Sequence, residues 1–146
     1  MNKYKILKEY ENNLMFLMDI LGSTTTNDSD LNKIGIYLFG KKKFVGVFPS
    51  DQVPLLKNNQ CCIINTDDSK HSGIHWCSLY RYNKKYYFYD SYSRDYKKLS
   101  PFWKKKRWIN ANKSVDQAIT EKDCGCRSLS WLISFDLHHD SIISII

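Results

Sequence analysis

The chain has no apolar run long enough to cross a membrane, no Cys-x-x-Cys pair, no internal repeat and almost no arginine. Each absence narrows the classes open to it. A spanning helix needs roughly 18 or more largely uncharged apolar residues. The stretch Leu14 to Leu21 carries Asp19 and follows Glu9 and Glu11, and the run Ile142 to Ile146 is shorter still. The same acids argue against a secretory leader, so the expectation is a soluble protein without a membrane partner, not secreted. The five cysteines, Cys61, Cys62, Cys77, Cys124 and Cys126, are an odd set in poor spacing for structural zinc. That argues against a disulfide scaffold or a metal site, and points to a reducing compartment.

Of 22 basic residues only four are arginine, and the net charge is +7. Lysine suits diffuse attraction to phosphate better than bidentate reading of bases. The charge gathers at Lys41 to Lys43, at Arg81 to Lys85 and from Lys97 to Arg107. In the last cluster Lys97, Lys98, Lys104, Lys105, Lys106 and Arg107 are interleaved with Phe102, Trp103 and Trp108, an arrangement that could stack nucleic-acid bases. The alternative is that the aromatics are core anchors flanked by solvated lysines.

At 146 residues the chain can bury about two-thirds of its unfolded surface around one core. Leu7, Tyr10, Leu14, Leu17 and Leu21 share a face at helical spacing, predicting a helix over 3–21 that stops at Gly22. Ser23 to Asp30 reads as a polar joint. Residues 1–30 are thus expected to be an N-terminal helix and linker, and 31–146 a compact domain. Within it Ile34 to Phe48 suggests a short strand pair around Gly40 to Lys43, and Cys61 to Asn65, Ile74 to Tyr82 and Tyr86 to Tyr92 suggest further strands. The last two form a hairpin. A two-residue turn at Asn83-Lys84 would set Cys77 opposite Asp90, and a longer turn would set His75 opposite it; either brings His75 near Asp90. A helix is expected from Cys124 to Leu137 with Asp123 as its N-cap, followed by a polar terminus at His138 and His139. The class is α+β.

These placements assemble the parts of a thiol hydrolase. Cys124 heads a helix, where free amides and the macrodipole favour a thiolate. Gly125 beside it leaves room for a substrate carbonyl. Cys126 lies about 200° further round the helix and is expected to point inward as a small apolar filler. His75 can act as base and Asp90 can hold its tautomer. Gln117 can donate its amide, with the backbone N–H of Cys124, to an oxyanion. Trp76 is either a core aromatic or a wall of the cleft.

With Gly73-Ile74-His75-Trp76, then Gln117, then Cys124-Gly125, and with Phe44 to Phe48 and Cys62 to Thr66 upstream, the chain resembles the adenovirus proteases (adenain) and their viral, virophage and Polinton-type relatives in the ubiquitin-like-protease superfamily. The resemblance covers most of the chain after residue 30. It implies a papain-like fold with the nucleophile at the start of a buried helix, a mixed central sheet, and His75, Asp90, Gln117 and Cys124 in the family's base, acid, oxyanion and nucleophile roles. It also implies cleavage of viral capsid precursors next to glycine or small residues during maturation, with Trp76 and Gly125 against the substrate, in the virion and the host cytoplasm or nucleus. The chemistry would need no metal or other cofactor. DNA is open as an activator, and the protein would act as a monomer. A peptide activator held by a disulfide finds no counterpart, since no cysteine lies between Cys77 and Cys124. Asp90 stands where adenain has glutamate, as in the deconjugating branch. The rivals are a deconjugating protease of ubiquitin-like modifiers, an acetyltransferase of the same superfamily, and a non-catalytic nucleic-acid-binding module.

Overall fold

Asn2 starts the first element: its side-chain oxygen accepts from the Lys5 amide at 2.9 Å, satisfying one of the free donors of a helix start. The helix α1 spans Lys3–Leu21 and closes at Gly22, whose φ of +85° suits glycine. A computed structural model describes residues 2–22, 27–70, 75–112, 114–115 and 123–143. The buried stripe of α1 is Ile6, Tyr10, Leu14 and Leu17. Leu7, expected on that stripe, is partly exposed instead, and Ile6, four residues before Tyr10, is buried in its place.

Asp28–Phe39 form a second helix, α2, where a strand was expected from Ile34. The β-branched and aromatic residues of Ile34 to Phe39 favour strand locally, yet Asn27 caps the Asp30 amide at 2.9 Å and Leu31 and Gly35 bury at a spacing of four. Capping and packing override propensity here. Gly40 ends α2 at φ +80°, and the expected turn at Gly40 to Lys43 leads from a helix into strand β1, Phe44–Phe48.

Cys61–Asn65 (β2), Trp76–Tyr82 (β3), Lys85–Tyr89 (β4) and Trp108–Asn110 (β5) complete a sheet in the order β1-β2-β3-β4-β5. The β2/β3 and β3/β4 pairs are antiparallel, and β1/β2 and β4/β5 are parallel. Helices and a mixed five-stranded sheet agree with the α+β class. Strand alternation divides the core into two layers. Cys61, Ile63, Trp76, Tyr80, Tyr87 and Tyr89 face α1 and the long helix α4, Cys124–His138. Cys62, Ile64, Cys77, Leu79 and Phe88 face Trp103, Trp108 and Tyr96, the last in a four-residue helix α3, Tyr96–Leu99.

Helix α1 shares the first of these layers. The Tyr10 and Tyr89 hydroxyls meet at 3.2 Å, the Ser130 hydroxyl donates to the Tyr10 carbonyl at 2.9 Å, and His138 Nε2 pairs with Glu9 at 2.8 Å. His139 stacks on Tyr82 with ring centres 3.9 Å apart. The last helix's histidines therefore bind neighbours rather than merely ending it.

Gly35 packs against Phe44 so closely that an added Cβ would overlap the ring. Gly35→Ala should lower stability by roughly 1–3 kcal/mol through overpacking, even though alanine improves helix propensity by about 1 kcal/mol. A urea melt with an unchanged or raised midpoint would contradict that packing.

Candidate active site

The geometry of the site begins at the β3–β4 turn. Asn83 and Lys84 have φ of +52° and +64°, the two-residue turn whose twist matches a hairpin. The Lys84 amide donates to Asn58 Oδ1 at 2.8 Å, which holds the turn. Tyr82 then pairs with Lys85 and Ser78 with Tyr89, so the shorter of the two expected registers is adopted and Cys77 comes opposite Asp90. His75, just before β3, is the diagonal neighbour. Its Nε2 lies 2.5 Å from Asp90 Oδ1.

Strand β4 ends at Tyr89, short of the expected Tyr92, because the chain folds back at Asp90: the Ser93 amide donates to the Asp90 carbonyl at 2.8 Å with Ser93 at φ +57°. That fold-back surrounds a fully buried carboxylate with donors. Asp90 Oδ2 accepts from the Arg94 amide at 3.0 Å and from Arg94 Nε at 2.8 Å, while Oδ1 takes Arg94 Nη2 at 3.3 Å besides His75. Asn112 fixes the backbone, its Nδ2 donating to the Asp90 carbonyl at 2.6 Å. Burial alone would raise the Asp90 pKa, but the bonds from His75 and Arg94 and their charges hold it well below the usual carboxylate range.

Small side chains bring α4 against β3. The Ser78 hydroxyl donates to the Ser128 carbonyl at 2.7 Å, and the Ser128 hydroxyl donates to the Trp76 carbonyl at 3.0 Å. One turn before Ser128, Cys124 heads the helix beside the residue that precedes Trp76. Its thiol is a hydrogen-bonding neighbour of the His75 ring, as is Cys77 on the carboxylate side. Cys126 turns away, with its sulfur 3.7 Å from the Gly22 carbonyl, and burial pushes its thiol up to about 11. Asp123 occupies the N-cap position without the expected capping bond; its carboxylate accepts from Arg127 Nε at 3.1 Å instead. The ion pair on the first turn competes for that oxygen.

Burial pulls the His75 pKa down, yet the hydrogen bonds to Asp90, Cys124 and Cys77 outweigh it, and the imidazole rises above its ordinary 6.5. Cys77, pushed up to about 11 mainly by burial, keeps its proton at neutral pH. The charge that matters to His75 there is Asp90's. His75, Cys77 and Asp90 offer ligand atoms within 4.8 Å of one another, a mixed N, S and O set that a divalent cation could use. Two features oppose this: Asp90 Oδ2 already takes two donors and Oδ1 three, among them the cationic Arg94 and the Cys77 thiol, and Cys77 is held as the thiol. Proton transfer suits the group better.

The structure thus brings together His75, Asp90 and Cys124. Gln117 lies outside the described residues. Trp76 is 6 % exposed and packs in the layer under α4 with Cys124, the core role of the two expected for it, and Gly125 is buried beside it. Lys97, Lys98, Lys104, Lys105, Lys106 and Arg107 are exposed, but Trp103 and Trp108 are core side chains and only Phe102 is half exposed. The tryptophans therefore form no stacking platform. Trp103 instead donates its Nε1 proton to the Ser50 carbonyl at 3.0 Å. Sequence reasoning missed Arg94, Tyr92 and Asn112. The signal for Arg94 was weak, a basic residue four after the acid in a segment with no regular period.

Comparison with known proteins adds no assignment: no protein-family model and no curated protein matches the chain. Among the described residues no helix is long and apolar enough to cross a membrane.

The shifted groups predict a pH window. The folded pKa of Asp90 lies below its ordinary 3.8, so its stabilisation is complete above that value and is lost as pH falls through the folded pKa. That of His75 lies above 6.5, so its stabilisation is complete below 6.5 and declines as pH rises toward the folded pKa. Asp90→Asn should cost about 3 kcal/mol between these limits, as for a broken buried pair, and progressively less outside them. A destabilisation that stays constant from pH 2 to 9 would refute this pairing.

Proposed function

We propose that the chain is a cysteine endopeptidase in which Cys124 is the nucleophile, His75 the base and Asp90 the orienting acid, on an adenain-like variant of the papain-like fold. The observation that carries this reading is a single imidazole set between a buried, ionised carboxylate at Nε2 and the thiol that heads α4. His75 holds the proton beside the Cys124 sulfur, the sulfur attacks the peptide carbonyl, and the protonated ring gives its proton to the departing amine. Water then cleaves the thioester with His75 as base. An imidazole made more basic than usual by Asp90 holds the proton through the attack. The backbone N–H of Cys124 and the Gln117 amide would receive the oxyanion.

The substrate is a protein precursor cut beside glycine or another small residue, as in viral capsid maturation, with DNA as an optional activator at the exposed lysines. A deconjugating protease of ubiquitin-like modifiers is the nearest second reading, favoured by aspartate rather than glutamate as the acid.

Incubating the purified protein, with and without DNA, with glycine-containing precursor peptides and with ubiquitin-like tails, followed by mass analysis, tests these readings. Cys124→Ala should abolish cleavage and Cys126→Ala should leave most of it; the reverse would sink the assignment. Gln117→Ala should lower kcat by roughly 100- to 1,000-fold. Full activity in that variant would remove Gln117 from the oxyanion site. Transfer of an acetyl group from acetyl-CoA without any cleavage would replace the protease reading altogether.

A further inference from the structure

Arg94 touches both neighbours that orient the proposed base. Through its main-chain N–H, Nε and Nη2 it makes three of the five hydrogen bonds to the Asp90 carboxylate oxygens, the others coming from His75 and Cys77. Its guanidinium also lies 5.0 Å over the Tyr92 ring, and that ring stacks on His75 with centres 5.2 Å apart and planes 28° from parallel. A carboxylate held by two forked nitrogens cannot rotate about its Cβ–Cγ bond without breaking them. The oxygen facing His75 is therefore fixed in direction as well as distance.

Stability alone accounts poorly for this arrangement. The Arg94 side chain is 44 % exposed, and pairing the buried carboxylate needs no fork, since the His75 ring and the Arg94 main-chain N–H already give each oxygen a donor. What the fork does control is the plane of a carboxylate that has no contact with solvent, and what the Tyr92 contact controls is the tilt of the ring bonded to it. A base aimed a fraction of an ångström wrongly loses much of its effect.

We propose that Arg94 is a positioning residue for His75: it locks the Asp90 carboxylate in plane and, through Tyr92, sets the tilt of the imidazole toward Cys124. This rests on the reading of His75 as the base for Cys124. Two readouts separate it from a purely structural role, the His75 Nε2 proton observed by NMR at neutral pH and the division of peptide-cleavage kinetics between kcat and KM. In Arg94→Ala the Nε2 proton should exchange with solvent at least about tenfold faster, and kcat should fall roughly 10- to 100-fold with KM within about twofold. Arg94→Lys keeps the charge but not the fork and should recover only part of both. If Arg94→Ala does not fold, as judged by loss of its thermal transition, Arg94→Gln serves in its place and should show the same two changes.

An Nε2 proton as protected in the folded variant as in the wild type overturns the proposal, even if the variant melts earlier. Failure of the wild type to cleave any peptide overturns the protease reading instead, and the exchange measurement still decides whether Arg94 holds the His75–Asp90 pair.

Discussion

A carboxylate with no access to water must find a donor for each of its oxygens, and Asp90 is where this molecule meets that demand. His75 satisfies one oxygen, Arg94 reaches both, and Asn112 secures the backbone that carries them. An isolated buried anion would cost several kcal/mol; a fully bonded one becomes a fixed negative charge against an imidazole. The basicity of His75, the ring order through Tyr92 and the direction of the free edge of the imidazole toward Cys124 all descend from it.

Two local features deliver Asp90 and Cys124 to the same histidine. The left-handed pair Asn83-Lys84 shortens the hairpin to the register in which Asp90 faces Cys77 and stands diagonal to His75. The serines of α4 and β3 let helix and strand approach closely enough for hydroxyl-to-carbonyl bonds in both directions. A bulkier residue at Ser128 would push the head of α4, and its thiol, away from the ring. Hairpin and helix are thus geared to one point, with α1 backing α4 through Tyr10, Ser130 and Glu9.

Much of this was legible in the residues. Apolar, strand-favouring runs such as Cys61 to Asn65 and Trp76 to Tyr82, buried on both faces over most of their length, and the helical spacing of Tyr10, Leu14 and Leu17 announce their elements. The choice between Cys124 and Cys126 was legible too, because two residues of helix reverse a side chain's face. Helix α2 was not legible, since its β-branched sequence is helical only because of the Asn27 cap and the fit of Gly35 to Phe44. The hairpin register could be narrowed but not chosen, as Asn83-Lys84 takes positive φ without a glycine. Arg94 and Tyr92 escaped notice because their roles arise from an irregular fold-back at Asp90, where no periodicity announces which side chains will meet. The basic stretch was ambiguous for the opposite reason: Trp103 and Trp108 look the same in sequence whether they stack on bases or fill a core.

The central claim is that His75, held by Asp90, activates the thiol of Cys124 and no other. The most direct measurement is labelling of the intact protein with a peptide bearing an electrophile after glycine, with the modified cysteine located by mass spectrometry in the wild type and in His75→Ala. One adduct is expected, on Cys124, formed rapidly in the wild type and slowed by at least about 100-fold, in line with loss of acid–base catalysis, in His75→Ala. Labelling at Cys77 or Cys126, or labelling of Cys124 at the same rate without His75, would contradict it.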